Sequence, residues 1–225
     1  MSSNNKTKSE NLTLYLYRHG NTFDTGDKIV QVGLKSDLAL TQRGEEQANL
    51  LGQYLQAHNI TPSYIYSGSL QRQTKSLELL KTYYPDTPAQ THISALDEID
   101  YGLWEGLSSD EIKQQWPEQD LSWQHQTKWQ DNIFIGSQQD HTDKLLTFFD
   151  TLRQNQAQAN TQSPQILISS NGIIRYFLYF TEKWDQLVSD HAMLELKVKT
   201  GHFCKVILDQ NNKIHVEAWN IKPKP

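Results

Sequence analysis

Cysteine is almost absent from this chain: Cys204 is the only one in 225 residues. An intramolecular disulfide and a CxxC zinc site are thereby excluded. The eight histidines show neither HExxH nor HxH spacing, so the expectation is that no metal is bound at such a motif. No apolar run approaches the ~18 residues of a membrane helix. The opening stretch 1–11 is polar and predicts no secretory signal. Basic residues, 21, are outnumbered by 26 acidic ones, for a net charge of −5. No basic stripe is left to neutralise phosphates along a groove, which argues against a nucleic-acid binder. Together these absences predict a cytoplasmic protein with neither a nucleic-acid nor a membrane partner.

What is present suffices for a core. Leu, Ile, Val and Phe make up 24% of the chain, above the roughly 20% below which a chain stays disordered. The mean hydropathy of −0.68 owes much to 23 glutamines, which are polar without adding charge. Short apolar runs at 12–17 (LTLYLY), 63–67 (SYIYS) and 166–169 read as strands, followed late in the chain by 193–199, 203–208 and 213–219. The last two are joined by a turn at 209–212. Between them lie helical patterns. Thr41 caps the first, with Ala48, Leu51 and Leu55 on one face. Ser69 is the expected cap of the second, through Leu70, Leu77 and Leu80, which stops before Pro85. Further helical stretches are expected at 109–116, 140–155 and 173–180, and 96–106 reads as a structured loop. Strand and helix alternate along most of the length, which indicates an α/β sandwich with a largely parallel sheet. A single domain is expected over 12–220, between a flexible tail at 1–11 and a short tail at 221–225.

Three strands end alike. The first stops at Arg18-His19-Gly20. The second stops at Gly68-Ser69, with Arg72 in the next helical turn. The third stops at Ser170-Asn171-Gly172, where a helix begins. In open α/β sheets, ligands sit at such carboxyl ends, beside free N–H groups of helix starts. A cation in a first turn opposes the helix dipole unless an anion is near. Two guanidinium forks, Arg18 and Arg72, suit a phosphoryl group. A neutral imidazole, His19, is a competent nucleophile toward phosphorus. The acid for a leaving oxygen is left open among Asp97, Glu98, Asp100 and Glu105, all within the loop 96–106.

These residues resemble a known family. Arg18-His19-Gly20-Asn21-Thr22 is similar to the RHGxT signature of the histidine phosphatase superfamily, the phosphoglycerate mutase-like proteins. Four further windows follow in order: 37–48 resembles DxPLTxxGxxQA, 67–74 (SGSLQRQT) resembles SxLxRAxxT, 96–106 resembles LxExxxGxWEG, and 167–175 (LISSNGIIR) resembles VxHGxxxR. The resemblance implies a three-layer αβα sandwich with a mostly parallel mixed sheet. It implies His19 as the phosphorylated nucleophile, Arg18 and Arg72 as phosphate ligands, and Glu98 as the proton donor. Asn21 and Thr22 would line the near side of the pocket, Lys35 would add a second positive contact, and Gly172 would lie on the substrate side beside Asn171. Neither metal nor organic cofactor is implied.

The sequence departs from the family pattern in three places. Asn171 stands where a second histidine is usual, Thr25 about where an asparagine often contacts phosphate, and Ala39 where a proline is usual. The activity implied is phosphomonoester hydrolysis of a small phosphorylated substrate. Alternatives are a mutase that returns the phosphate to a second oxygen, and a non-catalytic binder of a phosphorylated ligand or a protein, suggested by Asn171. Trp104, Trp116, Trp123 and Trp129 fall in the segment that caps such a pocket and read first as packing.

Overall fold

A computed structural model describes residues 11–159, 161–182 and 196–225. Six strands form one sheet: β1 (Leu12–Arg18), β2 (Tyr64–Ser67), β3 (Ala89–Gln90), β4 (Gln165–Ser169), β5 (Phe203–Leu208) and β6 (Ile214–Ile221), in the order β3-β2-β4-β1-β5-β6. The four from β3 to β1 run parallel, while β5 and β6 are antiparallel additions at one edge. Among the described residues six helices accompany them: α1 (Gln42–Ala57), α2 (Gln71–Lys81), α3 (Ser109–Gln115), α4 (Pro117–Gln126), α5 (Gln138–Ala159) and α6 (Asn171–Tyr176).

The layering follows from the period of two along the central strands. Tyr15 and Tyr17 of β1, with Ile166 and Ile168 of β4, pack on Leu51 and Leu55 of α1 and Leu77 and Leu80 of α2. Their neighbours Leu14, Leu16 and Leu167 turn to the other face, against Phe149 and Leu152 of α5 and Ile173 of α6. Both faces are covered, so the strands read as continuous apolar runs. This is the expected three-layer sandwich.

Local chemistry accounts for most helix starts. Thr41 Oγ1 accepts from Gly44 N–H at 3.1 Å, as its cap role requires. At α2 the cap differs from expectation. Ser69 donates its hydroxyl to Asp97, and Gln71 N–H is satisfied by Asp37 Oδ1 at 2.7 Å. That carboxylate offsets the cost of placing Arg72 in the first turn. Helix α4 has no sequence counterpart among the expected elements. It begins with Pro117 at its first position, where a missing N–H costs nothing, but it lacks an apolar period. The expected helix 173–180 is α6 followed by a 3₁₀ segment, Phe177–Phe180. α5 runs on to Ala159, four residues past the end expected at 155. The expected strand at 193–199 lies partly outside the described residues, and 196–199 carry no strand assignment. Ile221, expected in the tail, closes β6, whereas of the tail expected at 1–11, residues 1–10 lie outside the described residues. No helix among the described residues is long and apolar enough to cross a membrane.

Candidate active site

The site lies where the parallel strands end. Register pairs Arg18 with Ser169, and His19 N–H extends the ladder to Ser169 O at 3.1 Å. The residue after β1 and the start of α6 are therefore neighbours. Backbone packs closely on the other side: a Cβ on Gly20 would lie 2.2 Å from Gly44 O, and one on Gly44 would lie 2.2 Å from Asn21 O. Only glycine at both positions allows α1 to approach the turn that carries His19.

A cavity of about 300 Å³ opens here, and its inner end is lined by Arg18, His19, Asn21, Arg72, Glu98 and Asn171. His19 is buried, and its Nδ1 lies 2.8 Å from Gly20 O. A carbonyl only accepts, so Nδ1 carries the proton. Arg72 Nε, which only donates, lies 3.2 Å from His19 Nε2, so Nε2 carries the lone pair. Burial, then the charges of Arg72 and Arg18, hold the imidazole pKa well below its ordinary 6.5. The ring is a neutral base with its nucleophilic nitrogen turned to the arginines.

Both guanidinium groups are fixed by backbone carbonyls. Arg72 Nη1 donates to Ser36 O at 2.7 Å and Nη2 to Gly33 O at 3.1 Å. Arg18 Nη1 donates to Val198 O at 2.6 Å, and its buried Nε makes no hydrogen bond among the described residues. Charged donors whose hydrogen bonds among the described residues go to neutral acceptors suit an anion.

The structure separates the four acids of the loop. Asp97 accepts from Ser69 N–H and hydroxyl at 2.6 and 2.8 Å. Asp100 pairs with Lys35 at 3.0 Å and accepts from Gly102 N–H. Glu105 accepts from Ser36 Oγ at 2.5 Å. Glu98 alone of the four lines the cavity. It is buried and accepts from Ile99 N–H at 3.0 Å and Gly172 N–H at 3.3 Å. Burial raises its pKa above the ordinary 4.5, against the opposing pull of the Ile99 N–H bond and the charge of Arg72. A carboxyl whose hold on its proton is strengthened, beside an imidazole whose hold is weakened, is the division of labour acid–base chemistry needs.

Asn171 Oδ1 accepts from Val198 N–H at 2.9 Å. An amide held by its oxygen offers its NH₂ to what lies opposite. Asn21 lines the cavity, its backbone N–H on Gln47 Oε1 at 2.8 Å and its Oδ1 accepting from Thr200 Oγ. Thr22 lines it farther out.

Two residues expected at the substrate lie outside the lining. Lys35 is absent from the lining; its exposed ammonium turns to Asp100. Gly172 is buried behind Glu98 rather than facing the cavity, where a Cβ would lie 2.6 Å from Glu98 Oε1 and 2.5 Å from Tyr101 Oη. It shapes the acid's seat. Thr25 sits on an exposed turn outside the lining.

Sequence reasoning placed Trp123 in the capping segment but missed the apolar residues of 23–32 and the support of Trp123. Phe23, Ile29, Val30, Val32 and Trp123 line the outer wall of the cavity, while buried Tyr101 lies by Glu98, its hydroxyl beside Gly172. Trp123 is held from behind by Arg175, whose Cζ lies 4.5 Å from the ring centroid. Arg175 is fully buried. It donates to the carbonyls of Trp123 and Gln124 at the end of α4 and to Thr127 Oγ1 at 2.9 Å. Its place in the window 167–175 was visible, but its partners, about fifty residues earlier, were not. Trp104, Trp123 and Trp129 all pack edge-on around Phe134, the packing role expected. Among the described residues, no group of three His, Cys, Asp or Glu side chains is placed to hold a metal ion.

Residues 14–222 match the profile of the histidine phosphatase superfamily (branch 1). A 2,3-bisphosphoglycerate-dependent phosphoglycerate mutase of Bartonella quintana is 37% identical over 111 residues, 48% of this chain and 52% of that protein. Rat 6-phosphofructo-2-kinase/fructose-2,6-bisphosphatase 3 is 30% identical over 107 residues, 48% of this chain and 18% of that protein. The matches thus span about half or less of these relatives' length. A mycobacterial glucosyl-3-phosphoglycerate phosphatase shares the fold with a TM-score of 0.73 at 19% identity, over 93% of this chain and 98% of that one.

Proposed function

Because this chain belongs to the histidine phosphatase superfamily, we propose that it is a phosphomonoesterase working through a phosphohistidine at His19. The observation that carries the reading is the polarity of the His19 ring, with Nδ1–H on Gly20 O and the Nε2 lone pair beside Arg72. In the first step Nε2 attacks phosphorus, and the P–O ester bond breaks. The leaving oxygen takes the electron pair and the Glu98 proton. In the second step water attacks the phosphohistidine, Glu98 carboxylate accepts a water proton, and the N–P bond returns its pair to Nε2. Arg18, Arg72 and the Asn171 NH₂ hold the equatorial oxygens, where charge gathers in the transition state. All of this lies within residues 12–220, read as one catalytic domain acting on a small phosphorylated substrate, without metal or organic cofactor.

The likeness to a phosphoglycerate mutase supports a second reading, in which the phosphoryl group returns to another oxygen of the substrate. The two readings differ in the fate of phosphate. With phenyl phosphate and excess glycerol as acceptor, a phosphatase releases phenol and inorganic phosphate in equal amounts, with or without a chelator. Phenol release without matching phosphate would establish transfer. Loss of turnover on chelation would overturn the metal-free mechanism, and no phenol release at all would leave a binding protein.

A further inference from the structure

The outer wall differs in chemistry from the end that receives phosphate. Beyond the inner arginines, the segment 23–32 turns Phe23, Ile29, Val30 and Val32 toward the cavity. Ile29 is 69% exposed, the highest value among the large apolar side chains of the described residues. It stands at the edge of a cavity that already contains the phosphate donors. A second patch of anion-binding charge is not built there. Lys197 is the single cation of the described lining apart from Arg18 and Arg72, and Lys35 is committed to Asp100 outside it. Trp123 and Gln124 line the cavity as well. This part of the lining is stiff, because Trp123 and Gln124 are tethered through their carbonyls to buried Arg175. A preformed wall costs little ordering when a ligand covers it.

Resting on the phosphomonoesterase reading, we infer that the substrate is a monophosphate whose alcohol portion is uncharged and apolar, such as an aromatic ring, seated against Phe23, Ile29, Val30 and Val32. Covering these side chains removes apolar surface from water, which favours binding in proportion to the area covered. A carboxylate or second phosphate seated against these four side chains would lose water without gaining a partner from them. The wall therefore selects by rejection of charge as much as by attraction of the ring.

Titration calorimetry with three non-hydrolysable phosphonates tests this without relying on turnover: benzylphosphonate, naphthylmethylphosphonate and 4-carboxybenzylphosphonate. The wild-type chain should bind the naphthyl compound about five- to tenfold more tightly than the benzyl one. It should bind the carboxylated one about tenfold or more less tightly. Phe23→Ala should remove most of the naphthyl gain. Ile29→Lys, at an exposed position that folding tolerates, should strengthen binding of the carboxylated compound severalfold. Equal affinities for all three, or no response to Ile29→Lys, would overturn the inference. Hydrolysis of the matching phosphate esters runs in parallel. Binding in the predicted order with no hydrolysis would sink the phosphatase reading and keep the wall's selectivity, whereas hydrolysis with no order among the three would do the reverse.

Discussion

At the inner end of the cavity the functional side chains are held mainly by backbone. Gly20 O orients His19, Ser36 O and Gly33 O hold Arg72, Val198 O holds Arg18, Val198 N–H holds Asn171, and the N–H groups of Ile99 and Gly172 seat Glu98. The outer wall has little of this. Phe23, Ile29, Val30 and Val32 offer apolar surface from a segment without helix or strand, and the further lining residues Trp123 and Gln124 depend on a buried arginine. Backbone partners fix polar groups to within the tolerance that phosphoryl transfer requires. An apolar contact needs only shape and exclusion of water. The inner end is therefore expected to set the rate for every phosphate ester, and the outer wall to set which ester binds.

Substitutions can break this division. The largest effect after loss of the nucleophile itself is expected from Glu98→Gln. It should slow alkyl phosphates by about 10²–10⁴-fold and an aryl phosphate with a good leaving group much less. Its pH signature follows from the two perturbed groups. Turnover needs Glu98 protonated, so kcat/KM falls as pH rises through a pKa that burial has lifted above 4.5. It also needs His19 neutral, so the acid limb is displaced well below pH 6.5. Glu98→Gln should abolish the alkaline limb and spare the acid one. Equal losses on alkyl and aryl esters would remove Glu98 from the proton-donor role.

Asn171→Ala should reduce kcat about tenfold, the scale of one hydrogen bond, and by a similar factor for ring-bearing and small substrates alike. Full activity would show that the arginines suffice. A loss confined to one substrate class would blur the division between inner end and wall. The smallest effect is expected at Lys35, whose ammonium is exposed although its partner Asp100 is buried; an ion pair with a solvated end contributes little. Lys35→Ala should change kcat/KM by less than about twofold on any ester, and a selective loss on carboxylated esters would return it to the site.

The inner end was more legible in the sequence than the wall, for a physical reason. Arg18, His19, Arg72 and Asn171 sit at the ends of strands or the starts of helices, where apolar periods stop and polar residues stand out. Among Asp97, Glu98, Asp100 and Glu105 the residues alone could not choose, because the decision rests on partners from distant segments: Ser69, Lys35 and Ser36. Lys35 looked available for substrate because its partner is 65 positions away. The helix α4 was missed because Trp123 is its single buried apolar side chain, too few to mark a face. Residues 23–32 carry no periodic signal, and only folding brings their apolar side chains to the mouth of the phosphate end.

The central claim, a covalent phosphoryl group on His19, has a direct test. The protein is mixed with excess phenyl phosphate, quenched and denatured in alkali, and examined by peptide mass spectrometry and phosphorus NMR. The account predicts one phosphoryl group on the peptide containing His19, stable in base, lost in acid and absent from His19→Ala. Turnover with no such adduct, or an adduct that persists in His19→Ala, would contradict it.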